Sequence, residues 1–458
     1  VVGRIYRSLK NKILELLSQK EGFFHSSSNV VGWVVASQIL MFASIPVISR
    51  LYIPAIFGVY AIYTSIMYTL NQVIGLRSEL LINLPKKDSD AKNILATCLL
   101  IVVFMGGLVA IITYFFSSFM MHSLRMEALN GYLWLIPAGI IIIGIRNGLL
   151  YWTIRKSRFT VVGMANFIQV PFLIVVQIVF GFLSPKPIYL ILGAIVSWLS
   201  SLVYLLIKIV DRRFIASLFV RLGRATIIFR QNKAFMLHSS LAILLLSIAN
   251  YMPVVLVSSI YDTQIAAWFA LAMQAVYSPL DLVSLSIGQV YLNKGGKILH
   301  ENPKGLSVFY VKLTRNLILL GALPLLCIAL FAGPIFKLVF GEQWYQAGIY
   351  AQIMSVMLLI RFAVLSTSQN LVLLKKQGQA LAWSLFLIVL LISSFIPGYF
   401  LTPKPTPEMT LVLFSINMVI AYGVFFLINL RAARTYSQEV SMSRLAFKTE
   451  DASLEIRS

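Results

Sequence analysis

Twelve apolar stretches, each about long enough to cross a bilayer, follow one another through the chain, and lysines and arginines crowd every second gap between them. A spanning helix needs roughly 20 apolar residues. The runs predict spans near 28–49, 58–83, 93–116, 131–153, 161–182, 188–209, 235–259, 265–292, 308–332, 346–373, 380–401 and 409–430. With 59% hydrophobic residues and a mean hydropathy of +0.86, a soluble globule is excluded. So is an outer-membrane barrel, whose segments would be about 10 residues long and alternate polar with apolar. The reading is an all-α polytopic membrane protein.

The net charge of +22 would suit a nucleic-acid binder, but its distribution does not. Alternate gaps hold Arg4 to Lys20, Lys86 to Lys92, Arg155 to Arg158, Lys208 to Lys233, Lys294 to Lys304, Lys375 with Lys376, and the tail from Arg431. The gaps between them hold only Arg50, Arg125, Lys186, Lys337 and Lys404. This asymmetry is the positive-inside pattern, and it predicts that both termini are cytoplasmic. The basic excess then marks topology, with attraction to membrane lipids as a secondary effect and no nucleic-acid partner.

The longest basic gap divides the spans six and six. The expected organisation is an amphipathic cytoplasmic segment over 1–25, carried by Ile5, Leu9, Ile13, Leu16 and Leu17, and a first bundle over 26–209. A basic surface linker follows over 210–233, with Phe214, Leu218, Leu222 and Ile228 along one stripe, then a second bundle over 234–431 and a cytoplasmic tail over 432–458. The first span is expected to act as its own insertion signal. The halves also echo each other: Pro54 to Ala61 and Thr263 to Ala270 both follow the first span of their half and carry a small residue, a bulky pair and an alanine. Six spans per half suit a parallel duplication, and transporters built from repeats place their sites at midplane.

An ionisable group inside a span costs roughly 2.5–3.5 kcal/mol, so each one asks for a reason. Five stand out: Arg77 and Glu79 in span two, Arg146 in span four, Asp281 in span eight and Arg361 in span ten. Arg361 is either a cationic contact for an anionic substrate or half of a buried pair with an acid such as Asp281. Arg146, with Asn147 beside it, is a second candidate contact. A helix continued to Asn83 would place Ser65, Tyr68, Gln72, Gly75 and Glu79 on one stripe and turn Arg77 away from it. Arg77 would then either touch substrate or snorkel towards Lys86. Asp281, two residues after Pro279, and Glu79 are candidates for cation coupling, or for simple pairing. Asn250 and Gln274 are polar candidates for the cavity wall. Cys98 and Cys327 read as inert apolar residues, and the scattered histidines give no metal cluster, catalytic constellation or cofactor motif.

Several stretches resemble one family. Ala270-Leu271-Ala272, Pro279 and Ile287-Gly288-Gln289-Val290 are similar to the eighth helix of bacterial polysaccharide flippases. Val339-Phe340-Gly341-Glu342-Gln343-Trp344 with Ala347-Gly348 resembles the approach to their tenth helix, followed in order by Arg361-Phe362 and Lys375-Lys376-Gln377. Arg50-Leu51-Tyr52 with Phe57-Gly58-Val59-Tyr60, and Arg77-Ser78-Glu79-Leu80 with Leu84-Pro85-Lys86, resemble the first half. The chain is thereby similar to the Wzx-type flippases of the multidrug/oligosaccharidyl-lipid/polysaccharide (MOP) superfamily. Gln274 departs from the arginine that related sequences often carry there.

That resemblance implies two six-helix bundles related by pseudo-twofold symmetry, forming a V with alternating access to a central cationic cavity. It implies a flippase in the bacterial inner membrane, moving an undecaprenyl-pyrophosphate-linked oligosaccharide repeat of O-antigen, capsule or exopolysaccharide from the cytoplasmic to the periplasmic leaflet. A polysaccharide polymerase and a chain-length regulator would be its partners. The alternative is a cation-coupled multidrug exporter of the same superfamily. Expected substrate contacts are Arg361, Arg146, Arg77, Asn250 and Gln274.

Overall fold

The computed structural model describes residues 32–118, 129–209, 222–302 and 305–455. The expected N-terminal amphipathic segment, and Phe214 and Leu218 of the expected linker stripe, lie outside them. The chain divides into two compact units, Val1–Leu244 and Leu245–Ser458. The first unit contains α1 (Gly32–Leu51), α2 (Pro54–Asn71), α3 (Asp88–Phe115), α4 (Leu135–Arg155), α5 (Phe159–Leu183) and α6 (Pro187–Ile209). Helix α7 (Leu222–Ile260) runs unbroken through Lys233, and the boundary between units falls inside it. The second unit continues with α8 (Thr263–Glu301), α9 (Gly305–Phe340), α10 (Tyr345–Ser366), α11 (Gln377–Phe400) and α12 (Pro407–Glu455).

Among the described residues, eleven helices are long and apolar enough to cross a membrane. Helix α2 is the twelfth element and differs from the expected span. It is 18 residues long, about 27 Å at the helical rise, and its sequence is thinned by tyrosine, threonine and serine. It ends at Asn71, twelve residues before the expected end. Turns follow, Leu76 and Arg77 adopt positive φ (49° and 58°), and Ser78–Asn83 form a 3-10 helix. Two consecutive left-handed residues cannot continue a right-handed helix. The polar stripe expected from Ser65 to Glu79 is therefore broken, and the helical bearing given to Arg77 does not hold.

The echoed segments open the second helix of each unit. Pro54 sits in the first turn of α2, where its missing N–H costs nothing. Asp262 caps α8, its side chain accepting from the Ile265 amide at 2.8 Å. In each unit the fourth helix is the most buried of the candidate spans. The share of buried residues is 56% for α4 and 61% for the segment containing α10, against 50% or less in every other span. Helix α4 packs against α2, α3 and α6, and α10 against α8, α9 and α12. Apolar packing holds one end of the first unit, where Leu81, Ile94, Leu149, Trp152, Leu205 and Met236 form one cluster. At that end Asp88 receives hydrogen bonds from Arg155 (3.1 Å) and Lys156, and the Ile82 carbonyl receives one from Arg155 (3.0 Å).

Candidate functional site

The fourth helix of each unit carries one buried arginine. Arg146 on α4 and Arg361 on α10 are both 7% exposed. Neither forms a salt bridge among the described residues, so neutral groups hold both charges. They are held differently.

Arg146 is engaged at all three nitrogens. Nε donates to Ser201 Oγ of α6 at 2.9 Å, Nη1 to Asn147 Oδ1 at 3.1 Å, and Nη2 to Asn166 Oδ1 of α5. These acceptors are themselves fixed. Ser201 Oγ donates to the Ala165 carbonyl at 2.6 Å, and Asn147 Nδ2 donates to Asn71 Oδ1 at 2.9 Å. Asn166 lies where α5 is interrupted between Phe167 and Gln169, and Gln169 Nε2 returns hydrogen bonds to the Ala165 and Asn166 carbonyls. The guanidinium thus ties α4 to α5 and α6, and Asn147 extends the network to the end of α2.

Arg361 sits between aromatic faces. Its Cζ lies 3.9 Å from the centre of the Tyr277 ring (α8) and 5.6 Å from that of Tyr422 (α12). Nη1 donates to the Tyr422 hydroxyl and, at 3.2 Å, to Asn250 Oδ1 of α7. Tyr422 is positioned from behind. Trp383 of α11 stacks on Phe425 at 4.0 Å and donates Nε1 to the Ala421 carbonyl at 2.8 Å. The opposite edge of the guanidinium is free: Nε is buried without a partner, and Nη2 makes no hydrogen bond among the described residues. An unpaired Nε–Nη2 edge has the planar fork geometry that matches two oxygens of a phosphate or carboxylate.

The structure brings Asn250 to Arg361 and leaves Asp281 without a hydrogen bond or ion pair among the described residues. No ion pair joins Asp281 and Arg361, so the paired reading of Arg361 is not the arrangement seen. Gln274, Tyr277 and Asp281 succeed one another at three- and four-residue spacing, on one face of α8. Gln274 also has no hydrogen bond among the described residues. Pro279 lies within α8 and deprives the Ala275 carbonyl of its helical donor. In the first unit, Glu79 folds back on Gly75, where an added Cβ would meet its Oε2 at 2.6 Å. Arg77 and Glu79 make no ion pair among the described residues, and Arg77 Nε is buried without a partner. Cys98 is buried and Cys327 is exposed on α9. Among the described residues no group of histidine, cysteine and acid could hold a metal ion.

Reading the sequence missed Tyr277, Tyr422 and Ser201, which hold the two arginines. The signal for Tyr277 was its place one turn before Asp281. Tyr422 and Ser201 looked like ordinary span residues, because only packing brings them to their arginines.

Comparison with solved structures places this fold among MOP transporters. An inward-facing multidrug resistance MATE family transporter of that superfamily superposes with a TM-score of 0.74 at 15% identity, over 87% of this chain and 95% of that one. The lipid II flippase MurJ, in an inward closed conformation, gives 0.68 at 14% identity over 92% of both chains. An outward-facing MATE transporter gives 0.57 at 15% identity, over 90% of this chain and 97% of the other. No curated protein sequence matches. The chain is therefore a multi-pass membrane protein with the two-bundle fold that those transporters share. Residues 47–349 match the family described as "Polysaccharide biosynthesis protein", and the chain belongs to that family.

Proposed function

We propose that this chain flips an undecaprenyl-pyrophosphate-linked oligosaccharide repeat from the cytoplasmic to the periplasmic leaflet of the bacterial inner membrane, with both termini cytoplasmic. The supporting observation is Arg361, a buried cation held by neutral groups with its Nε–Nη2 edge unpaired. A diphosphate head group is costly to desolvate, and a fixed guanidinium fork compensates part of that cost. Asn250, Tyr277 and Tyr422 orient the fork, Gln274 offers an amide to a sugar, and Asp281 is the acid available for coupling. Arg146 contributes positive potential in the first unit, while Arg77 and Glu79 lie at its inner end. The polyprenyl tail stays in lipid while the head group crosses. An interior-negative potential favours outward movement by about 2.3 kcal/mol per charge per 100 mV. A polymerase and a chain-length regulator would take up the product.

The test is flipping of a fluorescent polyprenyl-diphosphate oligosaccharide in proteoliposomes. Losing a charge-assisted fork costs about 1.5–3 kcal/mol, so Arg361→Ala should slow flipping roughly 10- to 100-fold. Arg361→Lys, which keeps the charge and loses the fork, should fall between. Wild-type rates in the alanine variant would remove this reading. The second reading, a cation-coupled multidrug exporter, draws on the unpaired Asp281. It would be favoured if Asp281→Asn abolished ion-driven efflux of a cationic dye and Arg361→Ala did not.

A further inference from the structure

We propose that the first unit carries a binding site for one anionic phospholipid, in a groove where the start of α7 meets the broken end of α2. The groove has a volume of about 320 Å³ and is walled by Leu76, Phe229, Met236 and Leu237, with Arg230 and Lys233 also in its lining. Along α7, residues 230, 233, 237 and 240 recur at three- and four-residue steps and so share a face. Two exposed cations therefore stand at one end of that face. Apolar side chains follow, and Ser240 closes the other end about 10 Å beyond Lys233.

One buried donor in the lining has no partner. Ser240, 7% exposed, lines the groove with an unpartnered Oγ. Buried donors in native folds are normally satisfied, and an orphan facing this groove calls for an acceptor from outside the chain. The groove depends on the left-handed turn at Leu76 and Arg77, since a continued α2 would give Leu76 a different position.

The lining chemistry selects the occupant. Cations at one end and hydrocarbon along the walls complement a phosphate joined to an acyl chain. The lining has one hydroxyl and no amide, so it cannot satisfy a sugar chain. That separates this groove from the transport site proposed around Arg361 and favours a bilayer phospholipid over the glycosylated carrier. Each cation near a membrane surface contributes about fivefold to the affinity for an anionic lipid, so the pair contributes roughly 25-fold.

The experiment uses the full chain in nanodiscs of phosphatidylcholine with a minor fraction of phosphatidylglycerol, followed by detergent extraction and native mass spectrometry of retained lipid. Wild type should keep one phosphatidylglycerol in preference to phosphatidylcholine. The double variant Arg230→Gln/Lys233→Gln should lose that preference roughly 25-fold. Ser240→Leu, which fills the groove and spares both charges, should lose the bound lipid. Arg230→Lys with wild-type Lys233 should retain it, which reports that the segment still folds. Arg361→Ala should slow flipping and keep the lipid, so failure of either proposal is seen separately. Equal retention by wild type and the double variant would overturn the site. So would displacement of phosphatidylglycerol by a sugar-linked polyprenyl diphosphate at equal concentration.

Discussion

At the scale of single residues, two buried arginines with the same exposure have different capacities because their partners differ. Arg146 has an acceptor at each nitrogen, and its hydrogen bonds join helices. Arg361 has both of its acceptors on Nη1, which leaves its Nε–Nη2 edge unpaired. Backbone approach is the other residue-scale constraint. A Cβ on Gly348 of α10 would lie 2.6 Å from Gly333 Cα and would also overlap the Ala332 carbonyl of α9. Backbone atoms cannot rotate aside. Gly348→Ala should therefore cost about 1–3 kcal/mol, read as a lowered unfolding temperature in detergent. Gly107, with open space around its Cβ position, is the control. An unchanged melt for Gly348→Ala would show that α9 and α10 can separate at no cost.

At the scale of elements, α2 is the informative case. Its apolar composition predicted a span to Asn83, and the structure stops the helix at Asn71. Composition counts residues that tolerate lipid, but it does not register a left-handed pair that only surrounding packing can hold. Leu81 and Ile82 after the break are fully buried, and Arg155 of α4 donates to the Ile82 carbonyl. These contacts hold a backbone that the local sequence would not choose. Left-handed geometry costs a non-glycine residue roughly 1–2 kcal/mol. Leu76→Gly relieves that cost and removes a groove wall. Arg77→Gly relieves it with the wall intact, and should leave the unfolding temperature equal or higher. Arg77→Val, β-branched at the same φ, should lower it by several degrees. The reverse order would mean the turn is not left-handed in the membrane.

At the scale of the whole molecule, the two units repeat one plan. The second helix opens on the echoed segment, and the fourth carries a buried arginine. The alternating basic gaps predict which loops face the cytoplasm. In a chain with Cys98 and Cys327 replaced by serine, Lys186→Cys and Lys404→Cys should react with an impermeant maleimide added to intact cells. Lys86→Cys should react only after lysis. Labelling of Lys86→Cys from outside would invert the topology and with it the direction of flipping.

Hydropathy by itself determined that this chain is a helical membrane protein, and charge spacing predicted six helices on either side of a basic segment. Insertion responds to quantities summed over about 20 residues, and such sums are legible in one dimension. They also isolated Arg146, Arg361 and Asp281, because a charge in an apolar run is conspicuous. Tertiary structure decided which charges meet. It kept Asp281 out of an ion pair with Arg361 and brought Tyr277, Tyr422 and Asn250 from three other helices to that guanidinium. It also broke α2 to form a groove. Those outcomes depend on contacts between helices far apart in sequence, where an ordinary tyrosine and one packed on a buried arginine read the same.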